Sequence, residues 1–141
     1  MKLFTFTLLI FLCSITGFSQ QVVGNWKTID DVTGKAKSIV SIYEDNGKIY
    51  GKVIKILTPG EENKVCSECE GDKKNKPIVG MVILTDLEKD DDEWNDGEIL
   101  DPNNGKTYSC YISLEGNNKL KVRGFLGFSL LGRTQYWYRE D

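Results

Sequence analysis

Lys37-Ser38-Ile39-Val40-Ser41-Ile42-Tyr43-Glu44-Asp45-Asn46-Gly47-Lys48-Ile49-Tyr50-Gly51-Lys52-Val53-Ile54-Lys55-Ile56-Leu57 is the stretch that decides the fold. Two runs rich in β-branched and aromatic residues flank Asn46-Gly47. That dipeptide supplies the positive-φ positions of a two-residue hairpin turn, so the stretch reads as paired antiparallel strands over 37–44 and 48–57. Working outward, Val22 to Asp30 is a further β-rich run, closed by the turn Asp31-Val32-Thr33-Gly34. On the other side, runs at 78–87, 94–100, 106–114, 119–125 and 133–139 are separated by turn chemistry such as Asp101-Pro102-Asn103-Asn104-Gly105. Longer connections fall at 58–77 and 127–132. No stretch of this region carries a convincing helical period.

Eight strands in hairpin succession, with no crossover helix, make an antiparallel meander. A flat sheet of this kind leaves two edges unpaired, and closure into a barrel removes both. An all-β, eight-stranded antiparallel barrel is therefore the expected fold. A two-sheet β-sandwich is the alternative, and sequential hairpins favour the barrel over it.

The first residues belong to a different kind of sequence. Lys2 precedes an apolar run from Leu3 to Leu12, and Gly17-Phe18-Ser19 sets small residues where a signal peptidase cleaves. The reading is an export signal over 1–19 and a single domain over 20–141, in the periplasm or outside the cell. Cys13 raises a lipoprotein alternative, but the residue before it is the large Leu12. No later segment is apolar enough to span a membrane.

The whole chain has 18 Lys+Arg and 21 Asp+Glu, a formal net charge of −3, and cleavage removes Lys2 to leave −4. An acidic protein without a basic run is a poor match for nucleic acid or an anionic membrane. The count of histidines is 0, which removes the commonest general base, the commonest zinc ligand and every Ser-His or Cys-His dyad.

Three cysteines follow the leader. Cys66-x-x-Cys69 in the 58–77 loop reads as a small disulfide in an oxidising compartment. Cys110 shares parity with Tyr108, Ile112 and Leu114, which makes it a buried apolar residue, although a Cys69–Cys110 bridge stays open. A redox site would want a helix N-terminus beside the pair, and zinc a further ligand; the sequence offers neither. The acidic run Asp90-Asp91-Asp92-Glu93 lacks the spacing of an EF-hand and reads as a solvated turn. No cofactor and no metal are expected.

The last strand carries the most unusual chemistry. By alternation Arg133, Gln135, Trp137 and Arg139 share one face, while Thr134, Tyr136 and Tyr138 share the other. The face with Trp137 is the inward candidate. Guanidinium groups there must pair with carboxylates such as Asp30, Glu98 or Asp101, cap Trp26 through a cation–π contact, or meet an anionic ligand. Aromatic residues including Trp26, Trp94, Tyr108 and Trp137 provide core filling or a pocket wall.

Two resemblances follow from these residues. Gly24-Asn25-Trp26 in the first strand, with Arg133 or Arg139 late in the chain, is similar to the pattern of lipocalin-type barrels, in which a late Arg lies against the Trp and closes one end. More extensively, the chain resembles the secreted bacterial family known as domain of unknown function 2147. The matching blocks include Gly24 to Asp31, Cys66-x-x-Cys69, Pro77-Ile78-Val79-Gly80 and Gly97 to Pro102. They continue with Asn104 to Tyr108, Leu120 to Gly124 and Gly132 to Arg139. The resemblance implies export and a barrel, with no established chemistry.

The resulting expectation is a non-enzymatic barrel that binds a small, partly apolar, anionic or amphiphilic molecule. Trp26, Trp94, Tyr108, Arg123, Arg133, Gln135, Trp137 and Arg139 are the candidate ligand-binding residues. Arg123 is the weakest, because Leu120 and Val122 take the inward parity. The alternatives are a solid-cored interaction module of the cell envelope, using the 58–77 and 127–132 loops, and an enzyme of thiol–disulfide exchange or carboxylate hydrolysis.

Overall fold

The computed structural model describes residues 22–128 and 130–140, and the leader expected over 1–19 lies outside them. Eight strands run in chain order: β1 Gly24–Ile29, β2 Ala36–Asp45, β3 Lys48–Ile56, β4 Val82–Asp90, β5 Glu93–Asp101, β6 Lys106–Glu115, β7 Lys119–Phe125 and β8 Gly132–Glu140. Each pairs antiparallel with the next, and β8 returns to β1 through Trp26↔Arg139 and Thr28↔Trp137, so the sheet is a closed barrel. The barrel is thus the outcome, not the sandwich.

The β2–β3 turn forms as its dipeptide dictates. Asn46 and Gly47 take φ of 50° and 80°, the left-handed pair whose twist matches the flanking strands. The acidic run is divided differently from the sequence reading. Asp90 and Glu93 pair with each other at the ends of β4 and β5, which leaves only Asp91-Asp92 as the turn, with Asp91 at φ 58°.

The fourth strand starts at Val82, four residues later than the sequence suggests. Ile78 to Met81 are apolar, but their backbone is spent elsewhere. Ile78 N–H donates to the Lys64 carbonyl, Gly80 N–H donates to that of Val53, and Gly80 sits at φ 94°. The segment closes a long β3–β4 connection that contains a short 3-10 turn, Gly71–Lys73.

The barrel's two ends differ. At one end lie the start of the described chain and the β2–β3, β4–β5 and β6–β7 turns. The interior there is solid, with Trp26, Ile42, Ile49, Leu87, Trp94 and Leu120 all buried. Glycines let the strands close up: a Cβ on Gly97 would sit 2.5 Å from the Thr85 carbonyl oxygen, and one on Gly51 2.9 Å from Leu84. At the other end the β1–β2, β3–β4, β5–β6 and β7–β8 connections surround an opening. Among the described residues no helix is long and apolar enough to cross a membrane.

Candidate ligand-binding cavity

The open end leads into a cavity of about 490 Å³. Strand alternation builds its wall. Thr28 and Ser38 come from β1 and β2, Val53 and Ile56 from β3, Ile83 from β4, Ile99 from β5, Tyr108 from β6, Val122 and Gly124 from β7, and Arg133, Gln135 and Trp137 from β8. Gly124 pairs with Arg133, Val122 with Gln135, and Leu120 with Trp137, so the inward row of β8 descends from the mouth to the floor. Arg133 is exposed at the rim, whereas Trp137 is only 1% exposed.

Polar groups inside the cavity are few and partnered. Thr28 Oγ1 and Ser38 Oγ share a hydrogen bond of 2.7 Å. Trp137 Nε1 donates to Gln135 Oε1 at 3.3 Å, so the carboxamide nitrogen of Gln135 is the donor left for a bound molecule. Tyr108 OH accepts from Asn104 Nδ2 at 3.0 Å, tying the β5–β6 turn to the wall.

The mouth is ringed by paired charges. Arg133 binds Asp31 bidentately, through Nε to Oδ2 and Nη2 to Oδ1. The guanidinium holds the Asp31 carboxyl below its ordinary range, and the carboxylate raises Arg133 in turn. The sequence reading offered Asp30, Glu98 or Asp101 as partners; the residue that pairs is Asp31. Asp30 accepts instead from the backbone N–H groups of Val32 and Thr33, at 2.8 and 2.9 Å, and these bonds lower its pKa. Lys37 lies 3.8 Å from Asp30, and Lys64 the same distance from Glu61.

Of the eight candidate residues, the cavity gathers four: Tyr108, Arg133, Gln135 and Trp137. The other four lie elsewhere. Trp26 and Arg139 close the solid end, with the guanidinium carbon 4.3 Å from the indole centroid. Arg139 also donates to the carbonyls of Asn117 and Val23, and Trp26 Nε1 to that of Val22. The late Arg against the first-strand Trp is therefore Arg139. Trp94 is buried in the same solid half, beside Ile112, with Lys89 Nζ 4.6 Å from its ring centroid. Arg123 faces outward, as its parity requires, and donates to Thr134 Oγ1 at 2.9 Å.

Cys66 and Cys69 form a disulfide in the β3–β4 connection. Cys110 is buried outside any disulfide, and burial pushes its thiol up to about 12. A neutral thiol of this kind is neither a nucleophile nor a metal ligand. Sequence reasoning missed the apolar wall formed by Val53, Ile56, Ile83 and Ile99. Strand parity contains that signal for Val53, in step with Ile49 and Gly51, whereas register shifts within the β3–β4 and β5–β6 pairings hide it for Ile83 and Ile99.

The eight-stranded closure, the cavity open at one end and the Trp–Arg pair at the other define a lipocalin-like barrel. A solved structure with the same architecture is described as "Protein HP1028 from the human pathogen Helicobacter pylori belongs to the lipocalin family"; it is 25% identical, with a TM-score of 0.74 over 84% of this chain and 82% of that one. Residues 24–139 match the family described as "Uncharacterized protein conserved in bacteria (DUF2147)", and the chain belongs to that family. No curated protein matches it in sequence.

Proposed function

We propose that this protein is a binding protein, and that its cavity takes one small amphiphile, apolar tail inward and anionic head at Arg133. The observation that carries this reading is the division of the cavity itself. Aliphatic side chains and Trp137 line its depth, and the guanidinium stands at its mouth. A volume of about 490 Å³ lies within the roughly 300–1,000 Å³ usual for small-molecule sites. The solid core that a pure interaction module would carry fills only the opposite half.

Arg133 suits an anionic head because its planar fork donates two hydrogen bonds to a carboxylate, as it already does to Asp31. A ligand carboxylate would take over that fork from Asp31 without leaving a charge stranded, since the Asp31 side chain is only partly covered at the rim. Export is part of the proposal. The leader read over 1–19 and the Cys66–Cys69 disulfide both suit an oxidising compartment.

The test is a titration of delipidated protein with a medium-chain fatty acid and with the alcohol of equal chain length. Trp137 on the cavity floor is the fluorescent reporter. Saturable change with both ligands is expected, and Arg133→Gln should weaken the acid by about tenfold or more while sparing the alcohol. No saturable response to either ligand would overturn the reading.

A further inference from the structure

The β7–β8 connection holds four large apolar side chains out in solvent. Leu126, Phe128, Leu130 and Leu131 are 55%, 79%, 89% and 68% exposed. Its described residues are nevertheless tied together: Leu126 N–H donates to the Leu131 carbonyl, and Leu131 N–H to that of Phe128. Leu126 and Leu131 also line the cavity mouth. A soluble surface rarely groups such residues without a partner to cover them.

We propose that this loop inserts into the surface of an electrically neutral lipid bilayer, setting the cavity mouth against the lipid. Three observations select this occupant. The apolar side chains project from one short loop, an area of about a few hundred Å². A stable dimer would need about 800 Å² from each partner. Insertion into lipid, unlike docking to a protein, needs no complementary surface around the tip. Finally, the mouth-lining lysines Lys37 and Lys64 are each paired with a rim carboxylate, Asp30 and Glu61 respectively. The chain's net charge of −3 likewise gives no attraction to anionic headgroups.

This inference stands on the loop alone and does not require the cavity to be filled. It does supply a source for an amphiphile, since a mouth pressed to a bilayer receives its ligand without passage through water.

The experiment uses Phe128→Trp as a depth probe with phosphatidylcholine vesicles. The native Trp26, Trp94 and Trp137 are at most 3% exposed, so the added indole dominates any vesicle-dependent signal. A blue shift and quenching by brominated phosphatidylcholine are expected, with vesicle cosedimentation of the unsubstituted protein. Leu130→Ser and Leu131→Ser should each lower the partition coefficient roughly tenfold. These residues are exposed, so the fold is retained. Replacing part of the lipid with phosphatidylglycerol should not strengthen binding. Absence of any vesicle-dependent shift overturns the proposal, as does binding that appears only with anionic lipid. Loop-dependent self-association without vesicles also overturns it, assigning the patch to a second copy. A failed fatty-acid titration with vesicle docking intact would refute the binding reading and leave this one standing.

Discussion

Two neighbouring carboxylates in the β1–β2 turn do different work. Asp30 accepts two backbone N–H groups and fixes the turn, while Asp31 reaches across to Arg133 at the start of β8. Both carboxyls are held below the ordinary value of 3.8. A carboxyl with a lowered folded-state pKa contributes stability that is present above its unfolded value and lost as pH falls through the folded one. The urea midpoint should therefore stay level from neutrality to about pH 5 and fall below about pH 4. Asp30→Asn should flatten that fall, and the measurement is a series of urea titrations across the range. An unchanged acid limb in the variant would show that other carboxylates control it. At this scale the sequence spoke clearly in one place and obscurely in another. Gly24 is at φ 137°, and a Cβ there would sit 3.0 Å from Arg139 Nη1, so Gly-x-Trp leaves space for the arginine that covers Trp26. The Arg133 partner was not legible, because adjacent turn residues carry the same carboxyl and only the turn's geometry separates them.

At the scale of elements, hairpins with a strong turn signal were read to within a residue or two, as in β2, β3, β6 and β7. The β3–β4 connection was not. Its ends are fixed by contacts distant in sequence, which no local pattern encodes. Gly105 in the β5–β6 turn is the clearest of these: at φ 70°, its missing Cβ would lie 1.9 Å from the carbonyl oxygen of Glu68, beside the disulfide. The connection thus rests directly on the neighbouring turn. Gly105→Ala combines a left-handed backbone with a backbone collision, so it should cost about 2 kcal/mol or more. Reducing the disulfide should cost less, under about 2 kcal/mol, because it closes a very short loop. The backbone bonds Cys66 N–H to Lys76 O and Asn75 N–H to Cys66 O would remain. Chemical denaturation of both species compares them directly, and a disulfide effect larger than the Gly105 effect would reverse this ranking of the two anchors.

For the whole molecule, closure followed from strand count and hairpin order, but the hollow did not. Inward parity names the same kinds of residue at both ends, and volume decides which end fills. Trp26, Trp94, Leu87 and close-set glycines fill one half, whereas aliphatic chains and Gly124 leave space in the other. Two glycine substitutions separate a half-hollow barrel from a solid one. A Cβ on Gly97 would meet the Thr85 carbonyl oxygen at 2.5 Å and the fully buried Leu87 at 2.6 Å, a collision with backbone as well as core. Gly97→Val should therefore destabilise by about 3 kcal/mol or more. A Cβ on Gly124 meets side-chain atoms first, Ile99 Cγ2 at 3.2 Å and Tyr108 Cβ at 3.5 Å, with the Ser109 carbonyl oxygen at an ordinary contact distance of 3.9 Å, and Ile99 lines the cavity. Gly124→Val should then change stability by no more than about 1 kcal/mol, since its methyls enter empty space and bury there. It should also weaken amphiphile binding by occupying that space. Thermal unfolding and the fatty-acid titration read both effects on the same two variants. Equal destabilisation by the two substitutions would mean that the open half is as tightly packed as the closed half, and the cavity would lose its place in the function.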